Sequence, residues 1–190
     1  MNMALLRRCA TALVLAGGVV GTSHALTVLE LQSLLQSAPA HVVSFVELRE
    51  SPWLATPIES RGTMHWTPGL LEKRVEAPRQ ETWRMLPDRV EWVGPGGTES
   101  KQILFSEVPA MAVLADALRR VVAGDLLALE RDFKIELSGD RPGWTLRLQP
   151  LGAENSRYLD HLELAGTGAR LQAIIVVERQ GERTTTRLYP

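Results

Sequence analysis

Apolar residues change their spacing along this chain, and each change predicts a different element. Val28, Leu31, Leu34 and Leu35 recur at intervals of three and four, and Thr27-Val28-Leu29-Glu30 has the S/T-x-x-E form of a capping box. The spacing predicts a short amphipathic helix that runs until Pro39. Over 42–48 both alternate faces begin apolar, with Val43 and Phe45 opposing Val42 and Val46, as in a strand covered on both sides at one end. A loop over 51–57 leads to a second strand at 58–66, closed by the turn signal Thr67-Pro68-Gly69. Over 70–77, Leu71, Val75 and Ala77 alternate with Glu72, Arg74 and Glu76, so one face is dry and only Lys73 breaks its row. Segments 81–86, 89–93 and 101–105 continue the meander around Pro87-Asp88 and Gly94-Pro95-Gly96-Gly97.

The helical period then returns in Met111, Leu114, Leu118, Val121 and Val122, with Gly124 as punctuation before a shorter helical stretch at 126–130. Beyond it, 133–137, 144–149, 158–165, 170–178 and 183–188 read as strands, and the short connectors Gly166-Thr167-Gly168 and Gln180-Gly181-Glu182 make neighbours antiparallel. About eleven strands in hairpin order form a sheet that must curl toward a barrel or split to bury its apolar face. The fold class is therefore mainly β with α, in one domain. Its two amphipathic helices either lid and plug an apolar hollow or fill it as ordinary core.

The dry rows nominate the lining of such a hollow. From the first half of the sheet they are Phe45, Leu71, Val75, Trp83, Met85, Trp92 and Phe105. The helical insertion adds Met111, Leu114 and Leu118, and the later strands add Trp144, Leu146, Ile175 and Val177. Met85 and Met111 are soft enough to suit an adaptable lining, and equally suited to filling gaps in a core. Trp53 and Leu54 sit at a loop tip that the polarity pattern leaves uncovered; they gate the cavity or meet a partner or membrane, unless Trp53 folds back on the sheet.

Targeting and charge narrow the setting. A basic start at Arg7 and Arg8, an apolar stretch over 9–20 too short to span a bilayer, and the small-residue exit Ser23-His24-Ala25 read as a secretory signal peptide over 1–25, leaving a domain over 26–190. The single cysteine, Cys9, leaves with that signal, so no disulfide and no lipid-anchoring cysteine is expected in the domain. Lys and Arg total 21 against 22 acidic residues, and loss of Arg7 and Arg8 makes the domain's net charge about −3 with the signs interspersed. No basic patch invites nucleic acid.

Catalytic signals are weak throughout. His41, His65 and His161 lie far apart with no second ligand at metal spacing, and there is no G-x-S-x-G elbow or P-loop. Gly166-Thr167-Gly168-Ala169 is a hairpin turn, and Glu72 with Glu76 or Asp160 with Glu163 read as solvated strand faces. No catalytic, cofactor or metal residue is assigned, and an enzyme is not expected. Glu47 and Lys73 each interrupt a largely apolar row, where an ion finds a partner or marks a cavity mouth; a salt bridge at the barrel rim is the favoured account.

The segment 43–78, with Phe45-Val46-Glu47, Pro57-Ile58-Glu59-Ser60-Arg61-Gly62, Leu70-Leu71-Glu72-Lys73 and Ala77-Pro78, resembles the outer-membrane lipoprotein carrier family, LolA. The resemblance implies an unclosed antiparallel β-barrel with a helical lid, and a periplasmic monomer whose cavity holds lipoprotein acyl chains. It also implies an inner-membrane transporter as donor and an outer-membrane acceptor. Thr67 stands before Pro68 where better-known carriers have a basic residue associated with handing cargo on, and the chain stops at Tyr189-Pro190 without the extension of some members. A divergent branch is the reading, with glycolipid or pigment-type cargo open. The alternative is a periplasmic lipid-sensing or scaffold protein working with an inner-membrane exporter; regulators of that kind usually carry a second domain, for which 26–190 leaves no room.

Overall fold

The computed structural model describes residues 25–38, 42–67, 69–153 and 155–190. The expected signal segment, apart from Ala25, lies outside them, as do Pro39, His41 and Pro68. Helix α1, Val28–Gln36, starts where the capping box predicts: the Thr27 hydroxyl accepts from the Glu30 N–H, and the Glu30 carboxylate accepts from the Thr27 N–H at 2.8 Å. A meander follows, β1 (Val42–Glu50), β2 (Ile58–Thr67), β3 (Leu70–Ala77), β4 (Glu81–Met85), β5 (Arg89–Val93) and β6 (Ser100–Leu104). Helix α2, Pro109–Ala123, interrupts it before β7 (Phe133–Asp140), β8 (Gly143–Pro150), β9 (Leu159–Thr167), β10 (Arg170–Glu178) and β11 (Arg183–Tyr189).

The strands make one sheet of 11 in the order β6-β5-β4-β3-β2-β1-β11-β10-β9-β8-β7, antiparallel at every pairing. The first and last strands meet in the middle, and β6 and β7, consecutive in the chain, are the two free edges. That order explains the helical insertion. A connection between opposite edges of a curled sheet must cross its open side, and α2 makes the crossing with its apolar stripe turned inward. Gly124, at φ +65°, ends α2 in the left-handed conformation. The shorter helical stretch expected at 126–130 is present as a five-residue 3-10 helix, Leu127–Arg131.

Register assigns the faces. Val43 opposite Met64, Phe45 opposite Gly62, Trp66 opposite Leu71, Leu146 opposite Leu164 and Leu148 opposite Leu162 all belong to the face that carries the helices. Leu31 and Leu35 of α1 and Ala117, Leu118 and Val121 of α2 pack onto that inner face and complete one core. Two devices keep the sheet in register. Gly62 sits at a bulge where a Cβ would come 1.9 Å from the Arg74 carbonyl oxygen, so only glycine fits. Gln172 is an extra residue in β10, and it reverses the face of everything after it.

That second bulge corrects the sequence reading of β10. Ile174 pairs with Leu164 and is buried, whereas Ile175 pairs with Glu163 and Val177 with His161 on the outer face. Ile175 and Val177 therefore line no inner cavity.

Candidate functional site

Two helix ends and one hairpin turn converge on a cavity of about 590 Å³. Leu35, Gln36 and Ala38 bring the end of α1 to it, Thr67, Gly69 and Leu70 the turn between β2 and β3, and Val122, Ala123 and Asp125 the end of α2. The volume falls within the usual small-molecule range of about 300–1,000 Å³. Leu35, Trp66, Leu70 and Val122 give it apolar wall. The helix ends are held together by side chains of α1: Gln36 Nε2 donates to the Gly124 carbonyl at 2.8 Å, and the Gln32 side-chain oxygen accepts from the Leu127 N–H at 3.1 Å. A Cβ on Gly124 would stand 2.6 Å from Gln36 Cγ, so the missing side chain lets the helices approach.

Charge gathers on one side of the cavity. Arg119 and Arg120 line it and share one carboxylate: Arg119 donates to Asp116 at 2.7 Å and Arg120 at 2.6 Å, and Arg120 also donates to Asp125 at 2.9 Å. Burial alone would raise the Asp116 pKa, but hydrogen bonds from Arg120 and Arg119 outweigh it and hold the carboxyl below its ordinary range. Arg119 Nε is buried and, among the described residues, has no hydrogen-bond acceptor.

A second polar group interrupts the inner face farther along the sheet. Glu47 and Lys73 pair at 2.5 Å, the Thr186 hydroxyl donates to the other Glu47 oxygen at 2.7 Å, and Lys73 Nζ lies 4.9 Å from the Phe45 ring centre. The expectation of an ion pair is met, but on the inner face between β1 and β3, because β2 contributes only small Ser60 and Gly62 between the two side chains. Next to it, Glu81 accepts from both Trp83 and Trp92 at 2.9 Å, holding the two rings 6.3 Å apart. Among the described residues no group of three or more His, Cys, Asp or Glu is placed to hold a metal ion, and no helix is long and apolar enough to cross a membrane.

The profile of the family described as outer membrane lipoprotein carrier protein LolA-like matches residues 21–189. The chain belongs to this LolA-like family. No curated protein matches the sequence. Among solved structures, a LolA superfamily protein from Nitrosomonas europaea is 10% identical, with a TM-score of 0.47 over 86% of this chain and 90% of that one. A DUF1329 family protein from Desulfovibrio piger is 8% identical, with a TM-score of 0.46 over 85% of this chain and 88% of that one. The family is one of carriers, and the likeness read from residues 43–78 extends along nearly the whole LolA-like chain.

The residues nominated from the dry rows are distributed unevenly. Phe45, Leu71, Val75, Leu118, Trp144 and Leu146 are buried in the core, and Trp83, Met85 and Leu114 pack against it half-buried. Trp92 on β5 and Met111 on α2 are half-buried, and Phe105 lies just past the end of β6. None of them forms the wall of the 590 Å³ cavity. Much of the hollow in this LolA-like protein is filled by its own helices, and the 590 Å³ cavity lies at one end, where Trp66, Leu70, Val122 and Arg119 were not nominated; Val75 instead borders a smaller cavity of about 300 Å³ beside β4 and β5. Arg119 and Arg120 stand with Asp116 on the polar side of α2, so its sequence pattern carries no signal for that end.

The Trp53 loop is elsewhere. Ser51 and Arg49 tie it to Glu182 on the β10–β11 turn, and Trp53 is 78% exposed. Thr67, at the other end of ten-residue β2, lines the cavity, so about 30 Å of strand separates the loop from that opening. At that distance the loop does not border the 590 Å³ cavity. Trp53 does not fold back on the sheet either.

Proposed function

We propose that this protein is a periplasmic carrier that shelters acyl chains of lipoproteins, or of another lipid, between the inner face of its sheet and helices α1 and α2. Residues 1–25 then direct export and residues 26–190 do the carrying. The observation that supports it best is the cavity itself: an opening with Leu35, Trp66, Leu70 and Val122 on one part of its wall and charged groups on another, at the point where both helices and the β2–β3 turn end, in a sheet whose edges are unclosed. Carrying an acyl chain of about sixteen carbons through water requires roughly 12 kcal/mol of shelter, at about 0.8 kcal/mol per methylene. Burial under the helices supplies shelter of that kind, and loading proceeds by the helices parting from β2 and β3 so that the chain replaces side-chain contacts with its own. An inner-membrane transporter donates the cargo and an outer-membrane acceptor receives it from the monomeric carrier.

The test is native mass spectrometry with lipid extraction on protein purified from a periplasm, followed by incubation with a diacylated lipopeptide or its deacylated form. Retention of the acylated peptide alone supports the carrier. A clean unloaded mass and no uptake of either peptide overturns it and leaves the sensing or scaffold role.

A further inference from the structure

The loop that carries Trp53 is fastened through one carboxylate. Glu182, on the turn between β10 and β11, accepts from the Ser51 hydroxyl at 3.1 Å and from the Arg49 guanidinium at 3.3 Å. Ser51 in turn accepts from the Trp53 N–H at 3.3 Å, so the backbone at Trp53 hangs on Glu182 through a single hydroxyl. The turn itself is a firm base. The Glu178 N–H donates to the Glu182 carbonyl at 2.8 Å, and a Cβ at Gly181 would come 3.1 Å from Pro52 Cγ, so the loop packs closely on it.

A second carboxyl reaches the same point. Glu178 is half-buried and hydrogen-bonds the Glu182 side chain. Such a contact needs a proton, because two ionised carboxylates have acceptors only and repel each other. Burial raises the Glu178 pKa, the Glu182 charge and hydrogen bond raise it further, and Arg49 offsets part of the rise. Among the described residues the other charges on this side are committed elsewhere: Asp160 to His161 at 2.8 Å and to Arg179 at 3.0 Å, with Glu50 opposite Arg183 across β1 and β11. Arg49 is thus the cation that both carboxyls share, and at 54% exposure it is screened by water.

We propose that Glu178 and Glu182 form an acid-closed clasp on the β1–β2 loop. While one proton is shared, Glu178 donates to Glu182, which keeps lone pairs for Ser51 and Arg49, and the loop stays fastened. Loss of that proton sets two anions face to face, Glu182 is pushed off Ser51, and Trp53 is released. A carboxyl whose pKa is raised by folding contributes stability below its unfolded value, near 4.3, and loses it as pH rises through the folded value. The loop is therefore held in acid and freed toward neutral pH, whatever the cavity carries.

The experiment labels the protein with fluorotryptophan, assigns the Trp53 resonance by its loss in W53F, and follows it by fluorine NMR from about pH 4 to about pH 8, while carbon NMR follows the Glu178 carboxyl. The expected result is a Trp53 shift whose midpoint lies above 4.3 and coincides with that of Glu178. E178Q, a permanent donor to Glu182, holds Trp53 at its acid position throughout. H161Q, which removes the nearby group that titrates in the same range, leaves the midpoint where it was. A Trp53 resonance that does not move, or that moves with a midpoint different from that of Glu178, overturns the clasp without any variant. A shift that persists in E178Q or vanishes in H161Q overturns it as well.

Discussion

Lys73→Met is the most informative single perturbation of the fold, because it strands a carboxylate on the inner face. Glu47 would keep the Thr186 hydroxyl at 2.7 Å and lose the ammonium at 2.5 Å, and Phe45 would lose the cation over its ring. An exposed pair is worth about 0–1 kcal/mol, whereas removing one partner of a buried pair costs about 3–5 kcal/mol. The side chains of Lys73 and Glu47 are 18% and 17% exposed, nearer the buried limit, but Glu47 retains one good donor. The expected loss is therefore about 2 kcal/mol, and about 4–8 °C in Tm for a domain of this size. Urea unfolding followed by tryptophan fluorescence measures it. Glu47→Leu combined with Lys73→Met should recover to within about 1 kcal/mol of the parent, since no charge is then left unpaired. If the two single losses simply add in the double variant, the pair is not coupled and the reasoning is wrong.

Gly124→Ala should cost about 2 kcal/mol, from a left-handed φ and a Cβ driven against Gln36, and should loosen α1 from α2; an unchanged urea midpoint would show that the helix junction yields freely. Burial alone would raise the Glu72 pKa, but hydrogen bonds from Arg84 and Arg74 outweigh that and depress it, so its contribution is full above the unfolded carboxylate value near 4.3 and is lost as pH falls through the folded one. Glu72→Gln should accordingly flatten the fall in stability on acidification, read as urea midpoints across that range. Trp53→Asp should leave Tm within about 1 °C, because the ring is 78% exposed, while lowering delivery to an acceptor if the loop is a contact point; a large loss of Tm would mean that the ring packs in solution.

The elements were legible because their signals are local. The Thr27–Glu30 capping box marks the start of α1, and alternation in 70–77 separates the buried Leu71 and Val75 from the exposed Arg74, but Glu72, read as part of a solvated face, is buried beneath Arg74 and Arg84. Hairpin order gave the strand neighbours, since Gly168 and Gly181 sit in short turns. One extra residue, Gln172, was enough to defeat period counting in β10, because strand parity has no error correction. The inward turn of Glu47 and Lys73 was visible as two breaks in apolar rows, although their meeting was not.

By itself, then, the sequence determined the eleven strands, the two amphipathic helices and the likeness to the LolA-like family, all of which depend on neighbours in the chain or on residue order. Tertiary structure alone decided where empty space remains. The 590 Å³ cavity lies where the ends of α1 and α2 meet the β2–β3 turn, among residues far apart in sequence such as Leu35, Trp66 and Arg119. Volume is what packing leaves over, and no periodicity along a chain records it.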